Sequence, residues 1–283
     1  MKRSLKTLIE KTTPPQVREH LWRTYRRWIT RGDRYECPLC GARLKTLWPR
    51  GLSHPVLKKY DIIGGGYREQ ASCPVCGSTE RERLVYLFIR HRTDILQRPV
   101  HLLHVAPEPQ LGRLLQAAAQ VDYLSADLYV ENVMVKMDIT DIPYPDDHFD
   151  AIICNHVLEH VPDDRRALRE LYRVLKPGGW AILQVPYSER IPTSIEDPTI
   201  TTPEDRARHF GQEDHVRIYA KADYLARMAD AGFRVETLRW WEEGPAFGNP
   251  DNRFGLMPRE TLFVGRKQAS RATARQYRRK SHA

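Results

Sequence analysis

The sequence predicts an α/β protein with a mostly parallel sheet and helices on both of its faces, preceded by a small metal-organised module and an N-terminal helix. Three observations carry this. From residue 100 onward, short apolar runs alternate with amphipathic segments of helical period. Upstream, two near-identical knuckles, Cys37-Pro38-Leu39-Cys40-Gly41 and Cys73-Pro74-Val75-Cys76-Gly77, leave 32 residues between Cys40 and Cys73. Ahead of them, Val17, Leu21, Trp22, Tyr25, Trp28 and Ile29 recur at helical spacing.

Taken in order, residues 15–30 read as an amphipathic helix packed on the next module, and 35–78 as short strands and turns with Gly64, Gly65 and Gly66 in a loop. A helix over Glu80–Arg90 buries Leu84, Val85, Leu87 and Phe88. Strand His101–Ala106, helix Leu111–Ala119, a strand ending at Asp127, a short strand Val133–Met137 and the strongly apolar strand Phe149–Cys154 follow. Asp163 or Asp164 caps a helix that aligns Leu168, Leu171, Tyr172 and Leu175, and Lys176-Pro177-Gly178-Gly179 stops it. Strand Trp180–Val185, helix Ala222–Ala231 and strands Phe233–Trp240 and Thr261–Arg266 complete the pattern. This divides the chain into a basic helical segment (1–34), a knuckle module with its connecting helix (35–92), the α/β domain (93–266) and a basic tail (267–283).

The net charge of +9 is uneven: residues 1–34 and 266–283 each carry +7, leaving −5 for the body. Basic ends are read as solvated tails, with contact to an anionic polymer as the sharper alternative. No apolar run has the length of a membrane span, and the N-terminus lacks the apolar stretch of a signal peptide, so a cytoplasmic protein without a membrane span is expected. Composition carries no signal of oligomeric state.

Five cysteines are present, four of them in the two knuckles and Cys154 alone. A C-x-x-C turn aims two thiolates at one point, so two turns make a closed tetrahedral set. Cys37, Cys40, Cys73 and Cys76 are therefore expected to hold a structural Zn²⁺, with a β-hairpin between the knuckles. A closed set leaves no open position for zinc catalysis.

The run LLHVAPEPQLGRLL, YLSADLY, VKMDITDIPYPDDHFDAIICNHVLEHV and LYRVLKPGGWAILQVPY resembles the class I S-adenosylmethionine (SAM)-dependent methyltransferases of the type 11-like group. In detail it looks like a bacterial group in which a two-knuckle ribbon precedes an H-x-A-P-E first motif, here His104-Val105-Ala106-Pro107-Glu108. The resemblance implies a Rossmann-like sheet whose last strand is antiparallel, and SAM as cofactor. It departs from the usual pattern where Ala106, Pro107 and Glu108 replace the glycines of the first turn.

The resemblance also assigns residues. His104, Ala106, Pro107 and Glu108 lie under the cofactor. Asp127, beside Leu128, accepts the ribose hydroxyls, and Asp138 with Ile139 meets adenine. Asn155 and His156 face the methionine moiety. His156 and His215 are the candidate bases, the latter within HFGQEDHVRIY, where Phe210, Gln212, Asp214, Arg217 and Tyr219 are candidate acceptor contacts in a loop. The segment His156-Val157-Leu158-Glu159-His160 lacks the H-E-x-x-H order and a convincing third ligand, so no metal is expected there, and His160 is expected to pack or orient the loop.

Three functions compete. The first is methyl transfer to O or N of a small polar metabolite or carrier-linked sugar. The second is methylation of ribosomal or transfer RNA with the ribbon as reader, favoured by the basic ends but opposed by the acidic body and the lack of an N-P-P-Y or D-P-P-Y tetrapeptide. The third is a non-catalytic binding protein that keeps the fold.

Overall fold

The computed structural model describes residues 14–269. The basic stretches 1–13 and 270–283 lie outside the described residues, and with them most of the expected tail. Lys267 does not belong to that tail. Its backbone pairs with Gly178 and Gly179, and its ammonium reaches Asp147 and the carbonyls of Tyr172 and Arg173.

The α/β domain is built on β5 (Val100–Val105), β6 (Val121–Asp127), β7 (Val135–Lys136), β8 (Phe149–Cys154), β9 (Leu175–Ile182), β13 (Arg234–Arg239) and β14 (Thr261–Arg266). The spatial order is β13-β14-β9-β8-β5-β6-β7. Strands from β9 to β7 run parallel, and β14 lies antiparallel to both β9 and β13. The order reverses between β5 and β8, so the carboxyl ends of these two strands open the crevice where ligands bind in such sheets. Alternation along the strands feeds two cores. Leu103, Val105, Ile152 and Cys154 face α5 (Asp164–Val174) and α7 (Lys221–Asp230), and Leu102, Ala151 and Ile153 face α3 (Glu80–Arg92) and α4 (Pro109–Gln116). The expected antiparallel last strand is β14. The predicted stop after α5 is displaced: the helix ends at Val174, and Lys176-Pro177-Gly178-Gly179 already belongs to β9, whose pairing with β8 is irregular there.

The cysteine module departs from a simple ribbon. β1 (Arg31–Glu36) pairs with β2 (Arg43–Leu44) around the first knuckle, and β3 (Trp48–Arg50) pairs with β4 (Arg68–Ser72) before the second. Between β3 and β4 the chain makes a short helix, α2 (Pro55–Lys59), and a glycine-rich turn that crosses to the α/β domain. There Ile63 bridges Tyr187 and the Ser188 hydroxyl donates to the Tyr60 carbonyl. The N-terminal helix forms as expected, α1 (Pro15–Ile29), but its apolar stripe is left largely uncovered by the described residues. Val17, Leu21 and Tyr25 are half exposed and Trp28 is 75% exposed. Helical periodicity fixed the element without fixing a partner for it. Its ties to the module run instead through Arg27 to the Cys40 carbonyl and Arg26 over the Trp48 ring.

One buried cation joins the two parts. Arg83 is 0% exposed and donates to four carbonyls: Phe254 at 2.7 Å, Ser78 at 2.9 Å, Ala71 at 2.9 Å and Gly255 at 2.7 Å. Its neighbour Glu82 closes a capping box with Thr79 and also accepts from the amides of Gln110 and Leu111, which begin α4. Arg83→Met keeps most of the volume and strands these carbonyls, each costing about 1–3 kcal/mol. The expected loss is at least about 3 kcal/mol, a fall of roughly 10 °C in Tm. A denaturant or thermal titration showing less than about 1 kcal/mol of change would remove Arg83 from this role.

Candidate functional site

Two clefts open at the carboxyl ends of the parallel strands. The first, of about 700 Å³, is lined by Val105, Ala106, Asp127, Leu128, Asp138 and Ile139, with His156 and His160 at its inner end. Ala106 has φ +47°, in the left-handed region that normally calls for glycine. The departure from a glycine-rich turn is thus a departure in residue type and not in backbone shape. Asp127 Oδ1 accepts from the amides of Tyr129 (2.7 Å) and Val130 (2.9 Å), and Asp138 Oδ1 accepts from the amide and hydroxyl of Thr140 (both 2.8 Å). Each carboxylate is oriented by one oxygen, and Oδ2 is left for another donor.

His104, Pro107, Glu108 and Asn155 do not line this cleft, contrary to expectation. His104 lies on the face of β5 that carries Leu102, inside the core under α3 and α4, and is 0% exposed. Its Nε2 stands 2.7 Å from Glu108 and its Nδ1 3.1 Å from the Tyr123 hydroxyl, while Asn155 donates to Glu108 at 3.0 Å. Burial works against the Glu108 charge, but His104 and then Asn155 hold the carboxyl below its usual range. These residues brace the turn from beneath.

The second cleft, of about 280 Å³, lies on the other side of the histidines. Its floor is His156, Glu159, His160 and His215. Its lid is the insert between the knuckles, with Leu57, Ile62, Gly65 and Gly66, and Arg68 and Arg81 stand at its edge. His156 and His160 line both clefts. His156 follows β8 with φ +55°, a strained conformation for a side-chain-bearing residue. Gly64, at φ +76°, lets the insert close on it: a Cβ there would sit 3.2 Å from Glu260 Oε1 and 3.7 Å from His156 Cε1.

The expected 209–219 loop is more ordered than a loop. α6 (Pro203–Phe210) ends at Gly211, and β12 (Arg217–Ala220) pairs with β10 (Tyr187–Ser188) and β11 (Ile195–Glu196). Phe210, Gln212 and His215 reach the second cleft, and Asp214 reaches the first. Arg217 also borders the second cleft, but it is tied to Glu196 and to the carbonyls of Leu158, Val161 and Pro162. The Tyr219 hydroxyl donates within the core to Asp164. The insert and Arg81 were not singled out from sequence. The signal available was the run of four charged residues, Glu80 to Arg83, that opens α3 ahead of its apolar stretch.

Burial holds His156 below its ordinary value and pushes His215 down to about 4, so both rings are neutral near pH 7. Burial opposes the Glu159 charge, but His156 and the other two histidines bring its carboxyl down to about 2. Arg81 is depressed by burial and then by Arg68, and its Nε has no hydrogen-bond partner among the described residues. Glu260, buried beside Gln184, is pushed up to about 7 by burial. The folded chain therefore keeps a proton there that the unfolded chain releases near 4.5. That contribution is complete below about pH 4.5, is lost as pH rises through about 7, and is roughly 3 kcal/mol. Glu260→Gln should gain about that much relative to the natural chain between about pH 5 and pH 8. A constant difference across that range, measured by urea titration, would refute the shift.

The four knuckle thiols converge. Cys37 Sγ and Cys76 Sγ are 3.7 Å apart, Cys40 Sγ and Cys73 Sγ 3.8 Å, and all four lie within 4.8 Å of one another. A tetrahedral ion with bonds of about 2.3 Å to sulfur has edges of about 3.8 Å. The knuckles are also alike in backbone: the Gly41 amide donates to the Cys37 carbonyl and the Gly77 amide to the Cys73 carbonyl, each at 2.8 Å.

Residues 102–183 match the family model described as methyltransferase domain. The uncharacterized methyltransferase YcgJ of Bacillus subtilis (strain 168) is 29% identical over 113 residues, covering 40% of this chain and 42% of that protein. The 2-phytyl-1,4-naphtoquinone methyltransferase of Synechococcus elongatus is 54% identical over 142 residues, covering 50% of this chain and 52% of that protein. The chain thus spans about half the length of the curated relatives it matches. Among solved structures, YcgJ aligns with TM-score 0.40 and 20% identity over 55% of this chain and 71% of that one. The 1,6-didemethyltoxoflavin-N1-methyltransferase of Burkholderia thailandensis aligns with TM-score 0.43 and 15% identity over 67% of this chain and 78% of that one. The sheet order and the matched domain together define a Rossmann-like methyltransferase fold.

Proposed function

We propose that this chain transfers a methyl group from SAM to an oxygen or nitrogen of a small polar metabolite or carrier-linked sugar, with a structural Zn²⁺ on Cys37, Cys40, Cys73 and Cys76. The observation that carries the reading is the shared wall: His156 and His160 border both a cofactor-sized cleft and a smaller second cleft. A methyl donor in the first would present its methyl where the two clefts meet, in line with an acceptor in the second.

The residues of the first cleft fit a nucleoside. Asp127 and Asp138 each offer a free carboxylate oxygen, Leu128 and Ile139 offer apolar surface, and the left-handed turn at Ala106 brings backbone close. When bound, the cofactor supplies an electrophilic methyl on a sulfonium. The protein's work is then to align the acceptor and exclude water. His156 is held below its ordinary value by burial, its Nδ1 stands 3.3 Å from Glu159 Oε1, and its Nε2, without a hydrogen-bond partner among the described residues, is placed to take a proton from the acceptor. The lid of the second cleft comes from the module that the four cysteines hold, so a bound ion there would support acceptor binding through Leu57, Ile62 and Gly65. The small, covered second cleft favours a metabolite or sugar over an RNA strand, which needs an open basic path.

Three measurements test the reading. Asp127→Ala removes a charged acceptor for two hydroxyls and should weaken SAM about 10- to 100-fold, or about 1.5–3 kcal/mol; unchanged calorimetric affinity in the folded variant removes the cofactor cleft from the argument. Metal analysis should find one zinc per chain, and a chelator should lower Tm, because metal binding there contributes to folding; zinc-free protein with an unchanged Tm refutes the ion. Radiolabelled SAM incubated with total RNA and with a small-metabolite extract should label the metabolite fraction, and label in RNA alone reverses the choice of acceptor.

A further inference from the structure

We propose a second metal site, formed by Glu159, His160 and His215 at the junction of the two clefts, which takes a divalent first-row transition ion and through it an acceptor hydroxyl. The proposal rests on the methyl-transfer reading and narrows it from O or N to oxygen.

The ligand atoms of these three side chains lie within 4.8 Å of one another. Glu159 and His160 come from the turn after β8, and His215 from the segment before β12, 55 residues on. The backbone holds the two together, since the Val216 amide donates to the Glu159 carbonyl at 2.9 Å. Two imidazoles and one carboxylate are a donor set for iron, manganese, cobalt or zinc that leaves positions open for an exogenous ligand.

A second observation points to a ligand. The Glu159 side chain is 2% exposed, borders the second cleft, and its Oε2 has no hydrogen-bond partner among the described residues. A buried carboxylate oxygen without a donor is costly, and a cation in the cleft would satisfy it. His160 is arranged as metal-binding histidines are. Its Nδ1 lies 3.2 Å from Asp214 Oδ2, which is in turn held by Gln212 at 2.9 Å, leaving Nε2 for an ion. The His215 ring stands edge-on to it, with centroids 4.7 Å apart.

An ion in this position polarises an acceptor hydroxyl beside the methyl donor. The O–H bond breaks and its proton passes to Nε2 of His156, which has no hydrogen-bond partner among the described residues, while Nδ1 stands 3.3 Å from Glu159 Oε1. The oxygen's electron pair forms the new O–CH₃ bond, and the pair of the breaking C–S bond returns to sulfur, leaving a neutral thioether. No oxidant or reductant is needed.

The probe is Co²⁺ added to the full, zinc-replete chain without SAM. One Co²⁺ per chain should bind with weak visible ligand-field absorption and without the intense sulfur-to-metal charge transfer of a thiolate site. Affinity should fall at least tenfold in His215→Ala and in His160→Ala, and several-fold in Asp214→Asn. Should His215→Ala fail to fold, the more exposed His160 variant decides. Absence of the visible band in the folded natural chain, or a band unchanged in His160→Ala, overturns the site. Asp127→Ala separates the two readings. Retained cobalt with weakened SAM supports both, cobalt binding in a natural chain that binds no SAM sinks methyl transfer alone, and SAM binding without cobalt sinks the ion alone.

Discussion

The Arg83 guanidinium is the interaction on which the arrangement depends. A buried cation is costly unless its donors are matched, and here they are matched by carbonyls, not by a carboxylate. Ala71 and Ser78 flank the second knuckle, and Phe254 and Gly255 belong to the segment leading into β14. The planar fork of one side chain therefore fixes the cysteine module against the parallel sheet. With the module fixed there, the insert between β3 and β4 is carried over the carboxyl ends of β8 and β9, where it becomes the lid of the second cleft. The cysteine cluster and the second cleft are parts of one construction, and an ion that orders the first would order the second.

Strain and unsatisfied polarity meet at the wall between the two clefts. Ala106 and His156, at the ends of the central strands β5 and β8, both adopt left-handed backbone. Such residues persist only where the surroundings over-determine them. Asn155, His156 and Glu159 retain buried polar atoms without partners among the described residues, and Arg81 and Glu260 do so just beyond. A core built for stability alone satisfies such groups. Their gathering at the wall between two clefts is the physical signature of a site that awaits ligands.

The polar residues near the second cleft divide into two kinds. Arg217, Tyr219, Asp164, Glu196 and Arg227 form a network that anchors the small sheet of β10, β12 and β11. His215, from the same stretch of sequence, has its ring turned to the cleft and to His160. Residue type alone does not separate the two kinds, because arginine and tyrosine serve equally as anchors and as binding groups.

The sequence by itself determined the order of the seven main-sheet strands, the twin knuckles, and the acids that close β6 and follow β7. These rest on period, on turn chemistry and on spacing along one strand end, all local properties. Ala106 could be placed in the first turn, and Asp127 and Asp138 at the rim of the first cleft, for the same reason. Only the tertiary structure decided that His104 faces the α3 and α4 core and not the first cleft, because which face of a strand is closed off depends on which helices cover it. Only it showed that the apolar stripe of α1 finds no cover among the described residues, that the insert between the knuckles roofs the second cleft, and that His215 supplies the third group beside Glu159 and His160. Each of these is a contact between segments far apart in the chain, and no local pattern encodes which distant segment will close on which.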